Sequence, residues 1–234
     1  MISTNANPTV VLVHGAWADG SSWQRVIPLL LKENVPVLAV QNPTSSLSDD
    51  AAATRRAIHS VEGPIVLVGH SWGGAVITEA GNDPKVKALV YVAAFAPKAG
   101  ETVGDQVGRY PAPPGLSKIK NDGAGHLTLS EEGWIHDVGQ DLPEEETRIL
   151  SALQPPLPAG TFMEKVSQPA WLSRPAWYIV SAQDRVVSVE LERELAVMMG
   201  AKTTELNASH LSILSRPDAV ADVILEAVAA VRNA

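Results

Sequence analysis

The chain has 234 residues, 45% hydrophobic and 19% charged, a composition that suits one globular domain with a sizeable core and argues against long disorder. A net charge of −8 with no Lys/Arg cluster speaks against nucleic acid as a partner, and the lack of Cys excludes disulfides, thiolate metal sites and a Cys nucleophile. The start, MISTNANPTVVLV, has no basic leader followed by a long apolar run, and no stretch approaches ~18 apolar residues, so a cytoplasmic protein without a membrane span is expected.

Short apolar runs alternate with longer segments of helical period. Val10 to Val13 reads as a buried strand ending at His14-Gly15, followed by a helix over Ser21 to Lys32 with Trp23, Val26, Ile27, Leu30 and Leu31 on one face. Val35 to Val40 is a second strand. Ser48 to Ser60 is a helix capped by Ser48 or Asp49, with Ala52, Ala53 and Ile58 inward. Ile65 to Val68 is a third strand, Gly73 to Gly81 a helix and Val86 to Ala94 a fourth strand. Ala176 to Ser181 is a fifth, Val189 to Met199 a helix, Lys202 to Leu206 a short sixth strand and Asp218 to Val231 a last helix. Near-continuous Val/Ile/Leu strands separated by helices predict a parallel sheet covered on both faces. Right-handed crossovers then bring all strand C-terminal ends to one edge, where open α/β sheets bind ligands.

Residues 98–174 break this rhythm. They are rich in Pro and Gly (PAPPG, QPPLPAG), with helix-like pieces near Ser130–Val138 and Pro143–Leu153. A structureless loop of that length is improbable inside a compact domain, so the segment is read as a small cap inserted into a single domain whose core is 1–97 and 175–234.

The chemistry starts from PIVLVGHSWGGAVITEA, Pro64 to Ala80, where Gly69-His70-Ser71-Trp72-Gly73 stands between strand and helix. G-x-S-x-G at such a corner is a nucleophile elbow: the turn is tight, Gly69 and Gly73 leave room, and the Ser71 hydroxyl is held out at the sheet edge. The five-residue match alone would arise by chance about 0.08 times in a chain of this length, and the strand-before, helix-after context makes it rarer. The bland reading, Ser71 as a helix cap, is weaker for that reason. A Ser hydroxyl needs a base. Of the six histidines, His210 in LNASHLSILSRPD follows the last strand and returns to the active edge; His14, His59, His70, His126 and His136 suit that role less well. Asp184 in SAQDRVVS, just past the fifth strand, is the carboxylate expected to orient it; Asp105 and Glu101 are rivals, and Asp222 belongs to a solvated helix face. Two backbone N–H donors are required for an oxyanion: Trp72, after the nucleophile, and Ala16 in the HGAWADGSSW loop, with Trp17 the next choice. His14 is read as a brace for that loop. Trp17, Trp72, Trp134 and Trp171 are candidate pocket walls, whereas Trp23 and Trp177 read as core.

VVLVHGAW, VLVGHSWGGAV, the Asp184 loop and the NASH loop together resemble the α/β-hydrolase superfamily over essentially the whole chain outside the cap. HGAW with Trp23, and a chain that begins at the first parallel strand, are similar to the small cofactor-free group of plant methyl-ester esterases, hydroxynitrile lyases and their bacterial relatives. The resemblance implies a six-stranded, mostly parallel core with helices on both faces and a small, mainly helical cap over Ser71. It also implies a serine esterase that uses a Ser-His-Asp triad on a small, apolar ester, with no cofactor and no metal. Gly15 after His14 matches the esterases, where a branch of the lyases carries Thr, and Lys98, Lys118, Lys120 and Lys165 fall in no recognisable lyase motif. A lyase using the same triad and a ligand-binding receptor on this fold stay as alternatives, and a homodimer is compatible with the sequence.

Overall fold

The structure, a computed structural model, describes residues 7–233. The first six residues, which carry part of the leader reading above, lie outside them, as does Ala234. The elements run β1 (Thr9–Val13), α1 (Ile27–Lys32), β2 (Val37–Ala39), α2 (Leu47–Ser60), β3 (Ile65–His70), α3 (Trp72–Ala80) and β4 (Val86–Val92). Between β4 and β8 come α4 (Val103–Val107), β5 (Ile119–Asn121), β6 (His126–Leu129), α5 (Glu131–Gly133), α6 (Glu144–Leu153) and β7 (Leu157–Pro158). The chain closes with β8 (Ala176–Ser181), α7 (Val189–Met198), β9 (Lys202–Leu206), α8 (Ser212–Ser215) and α9 (Pro217–Arg232).

Six strands form one sheet in the order β2-β1-β3-β4-β8-β9, every adjacent pair parallel. Strand alternation divides the core in two. Val11, Val13, Leu67, Leu89 and Tyr178 point to the face packed by α2, α3 and α7; Val10, Leu12, Val66, Val68, Val90 and Ile179 point to the face packed by α1 and α9. Because each interior strand is covered on both sides, β3 is buried at every residue, which is why it reads as an unbroken apolar run rather than an alternating one. The edge strand β9, KTTEL, is exposed or half-buried at every residue and leaves Lys202 and Glu205 exposed, as an edge facing water should.

Three boundaries differ from the sequence reading for identifiable reasons. The helix expected over Ser21–Lys32 is split into a 3₁₀ turn (Gly20–Trp23), capped by Asp19, and α1. Pro28 lacks an N–H and cannot sit inside a helix, so the second piece restarts with Pro28 in its first turn. The cap of α2 is Ser46, whose hydroxyl accepts from Asp49 N at 2.9 Å, rather than Ser48 or Asp49. The β3 strand runs two residues further, through His70, so the corner falls at Ser71 itself.

The β4–β8 connection holds the expected helical pieces, with α5 continuing as a π-helical turn over Trp134–Val138. It also holds a three-stranded antiparallel sheet, β5-β6-β7, that pattern reading did not find. Its strands are two to four residues long, too short for a period to show. Gln154 ties this sheet to the end of α6 by accepting from Leu129 N and donating to Leu129 O. No helix among the described residues is long and apolar enough to cross a membrane.

Candidate active site

Ser71 sits at φ 53°, ψ −121°, in a region a non-glycine residue enters only under strain. The surroundings hold it there. Its N–H donates to Val92 O at 3.0 Å, and its carbonyl accepts from Gly74 N and Phe95 N. Neighbours must be bare for the turn to close: a Cβ on Gly69 would stand 2.5 Å from Gly73 O, and one on Gly73 would stand 2.5 Å from Val13 O. The two glycines flanking Ser71 are therefore close-approach positions, and the strain they permit lifts the hydroxyl above the C-terminal ends of β1, β3 and β4.

Asp184 and His210 arrive from the loops after β8 and β9. Both are buried, and His210 Nδ1 lies 2.5 Å from Asp184 Oδ2. The other carboxylate oxygen accepts from Val186 N and Val187 N at 2.7 and 2.8 Å, so the acid is fixed on both sides. A carboxylate only accepts, so the His210 proton stands on Nδ1 and Nε2 is left as a base. A third contact locks the loop: His70 Nε2 donates to His210 O at 2.9 Å, with the two rings 4.8 Å apart. Burial, and then the neighbouring His210, push the His70 pKa down to about 3, so His70 stays neutral and serves as a fixed donor. The Ser71 hydroxyl makes no hydrogen bond to His210 among the described residues; bonds of this kind commonly tighten only around substrate. The two residues line one small cavity of about 30 Å³, together with Trp17, Trp134 and Leu211.

The Ala16 and Trp72 amides have no acceptor within the chain among the described residues, and both residues line a second, larger cavity with Ser71. That cavity, about 190 Å³, is walled by Trp17, Phe95, Val103, Val107 and Phe162, with no charged side chain among its lining residues. The loop carrying Ala16 is braced as expected: His14 donates through Nδ1 to Gly15 O (2.9 Å) and accepts through Nε2 from Asn42 N (3.0 Å). Burial holds the His14 pKa below its ordinary value, which keeps that pattern of one donor and one acceptor. A Cβ on Gly15 would stand 3.0 Å from Ser71 Cβ, so the loop passes directly over Ser71.

The tryptophans separate. Trp17, at φ 57°, borders both cavities and donates to Leu127 O across 2.8 Å. Trp72 walls the larger one and Trp134 the smaller. Trp171 lies elsewhere: its indole donates to Pro97 O at 3.3 Å, it packs on the core beyond α3, and it lines neither cavity. The rivals to Asp184 are also elsewhere. Asp105 closes a capping box with Thr102 at α4, and Glu101 pairs with Arg109. Asp222 is exposed on α9.

Three residues escaped the sequence reading. Phe162 meets the rings of both Trp17 and Trp72 edge-on, with centroids 6.0 and 5.6 Å away. Glu192 on α7 is fully buried behind Asp184, with Oε2 accepting from Ser181 N at 2.9 Å and Oε1 unpartnered. Burial, and then the charge of Asp184, drive its pKa well above the ordinary carboxyl range, so it carries a proton. Asp50 on α2 is fully buried against the Trp72 indole. The available signal for Glu192 was a lone acid sharing a helix face with Leu195 and Ala196; for Asp50 it was the same pattern with Ala53 and Thr54.

Comparison with known proteins bears on this geometry. A probable hydrolase named R7 from Phoma sp. is 26% identical over 94% of this chain and 97% of its own. The crystal structure of a pyrethroid hydrolase from Sphingobium faniae superposes with a TM-score of 0.83 at 23% identity, covering 95% of this chain and 98% of that one. Polyneuridine aldehyde esterase superposes with a TM-score of 0.82 at 21% identity over 94% and 98%. At such identities these two speak for the fold. A family model described as the alpha/beta hydrolase family matches residues 10–223, so the chain belongs to the alpha/beta hydrolase family.

Proposed function

We propose that the protein is a serine carboxylic-ester hydrolase whose triad is Ser71, His210 and Asp184. The observation that carries the reading is the buried His210–Asp184 pair, 2.5 Å apart, opening onto the same cavity as a hydroxyl held in a strained elbow. Its relatives include a carbendazim-hydrolysing esterase from Nocardioides sp., 34% identical over 40% of this chain and 44% of its own, which supports ester chemistry.

In the proposed cycle His210 Nε2 takes the Ser71 proton as Oγ attacks the carbonyl carbon. The amides of Ala16 and Trp72 receive the negative charge that forms on the carbonyl oxygen. His210 then gives the proton to the departing alkoxide, and water resolves the acyl-enzyme with the roles reversed. Asp184 holds the imidazole and stabilises its charged form. Because the leaving oxygen must meet His210, the alcohol occupies the cavity of about 30 Å³ that His210 lines. The acyl group takes the apolar cavity of about 190 Å³, which His210 does not line. An uncharged apolar acyl group follows. None of Lys98, Lys118, Lys120 or Lys165 lines either cavity, which supports hydrolysis over a lyase that needs a cationic side chain at the nucleophile.

A small organophosphate should label Ser71 covalently, and a short p-nitrophenyl ester should turn over, falling as pH drops because protonated His210 cannot accept. Ser71→Ala must lose both. Equal turnover by Ser71→Ala refutes the mechanism; cyanide release from mandelonitrile with negligible ester cleavage points to a lyase, and tight ligand binding without chemistry to a receptor.

A further inference from the structure

Trp72 enters the proposed reaction through its amide, yet its side chain has an anchor of its own. The buried indole Nε1 donates to Asp50 Oδ2 at 2.8 Å. The other oxygen of that carboxylate accepts from Thr44 N, also at 2.8 Å. Thr44 follows β2 in a left-handed conformation, φ 54°, which a β-branched residue adopts only when held. One carboxylate thus joins α2, a strained loop and the residue after the nucleophile. Phe162 presses on the Trp72 ring from another side.

A fully buried carboxylate is an expensive way to fill space. Asp50 has no Lys or Arg partner among the described residues, and the charged groups near it, Asp49 on its own helix and Glu164 beyond β7, are both negative. An ionised carboxylate accepts strongly on both oxygens, as the two N–H groups here require; Asn offers one acceptor oxygen and would turn its NH₂ towards the other donor.

We propose that Asp50 is a positioning residue for the esterase reaction: through the indole it holds the Trp72 ring as a wall of the acyl cavity and the Trp72 amide in line with Ser71. The proposal rests on the triad assignment above. Burial, more than the two hydrogen bonds that oppose it, raises the Asp50 pKa to about 6. Once protonated, the group has one oxygen that is a much weaker acceptor and gains an O–H donor, so one of the two N–H groups loses its charge-assisted bond. The clamp is complete above that pH and fails below it.

Wild type, Asp50→Asn, Trp72→Phe and the double variant should be compared on p-nitrophenyl acetate, with organophosphate titration counting working sites. Asp50→Asn is expected to lower kcat about tenfold with KM changed less than about twofold, the cost of a slightly displaced amide. In the Trp72→Phe background the same change should cost less than about twofold. Below pH 6, log kcat/KM should fall with a slope about one unit steeper in wild type than in either single variant, the difference being Asp50. Should Asp50→Asn fail to fold, Trp72→Phe reads the same change of slope. Additive losses, or a wild-type slope equal to that of the single variants, overturn the role of Asp50 while leaving labelled Ser71 in place. An unlabelled wild type overturns the triad reading and this one together.

Discussion

Glu192→Gln tests the most unusual charge arrangement in the molecule. Glu192 has no exposed surface, its Oε1 has no partner among the described residues, and Asp184 is beside it. Two adjacent buried carboxylates cannot both ionise cheaply, and Asp184 already has three donors, so the proton belongs to Glu192. Folding therefore raises its proton affinity above that of the unfolded chain, whose Glu ionises at 4.5. The stability it contributes is full below that value and declines as pH rises towards the folded one. Gln keeps the shape, accepts from Ser181 N and has nothing to ionise. The variant's margin over wild type should then grow by about 1.4 kcal/mol per pH unit above the ordinary carboxyl range. Urea unfolding of both proteins at pH 5, 6 and 6.5 measures that margin. A margin independent of pH means that Glu192 is ionised in the fold, and refutes the reasoning.

Asp184→Asn should leave the fold intact and lower kcat by about 10³–10⁴, because the amide favours the wrong imidazole tautomer; a loss under tenfold on a p-nitrophenyl ester contradicts the triad. Gly69→Ala puts a Cβ 2.5 Å from Gly73 O, so the elbow must open; a cost of about 2–3 kcal/mol in thermal or urea unfolding and slower organophosphate labelling are expected. Phe162→Ala removes the edge contacts to Trp17 and Trp72 from a half-buried site. It should cost roughly 2 kcal/mol and move the preference from p-nitrophenyl acetate towards longer acyl chains, read as a ratio of kcat/KM values.

The parts of the fold legible in the sequence are those set by period and punctuation. Ile65–His70 and Ala176–Ser181 had to be interior strands because both their faces are apolar, and helices between parallel strands place every loop after a strand at one edge. Ser71, Asp184 and His210 are proposed from that edge together with the G-x-S-x-G corner, without knowing a single distance. Trp171 misled because an aromatic in a connection carries no period to say which way it faces; it follows Pro169 in a 3₁₀ turn that packs against α3. Phe162 was hidden for the same reason, in a 3₁₀ turn after β7. Asp50 and Glu192 were hidden differently. Each sits on a well-predicted helix, but an acid on an apolar stripe looks like a face boundary until the structure shows both oxygens away from water.

Those two acids stand behind opposite ends of the proposed catalytic group, and their opposite protonation states follow from what surrounds them. Asp50 meets two N–H donors that oppose burial and the like charges of Asp49 and Glu164, and it ionises near pH 6. Glu192 meets one donor and an adjacent carboxylate, so it holds its proton well above the ordinary carboxyl range. The consequence for His210 is direct. While Glu192 is neutral, Asp184 is the one negative charge against the ring, enough to orient Nδ1–H and to stabilise the imidazolium that forms in passing. In the proposed mechanism a neutral carboxyl behind the acid limits the negative charge at the site, and an ionised one behind Trp72 holds the proposed oxyanion donor in place. The pH range over which both conditions hold together is the range in which the esterase is expected to work.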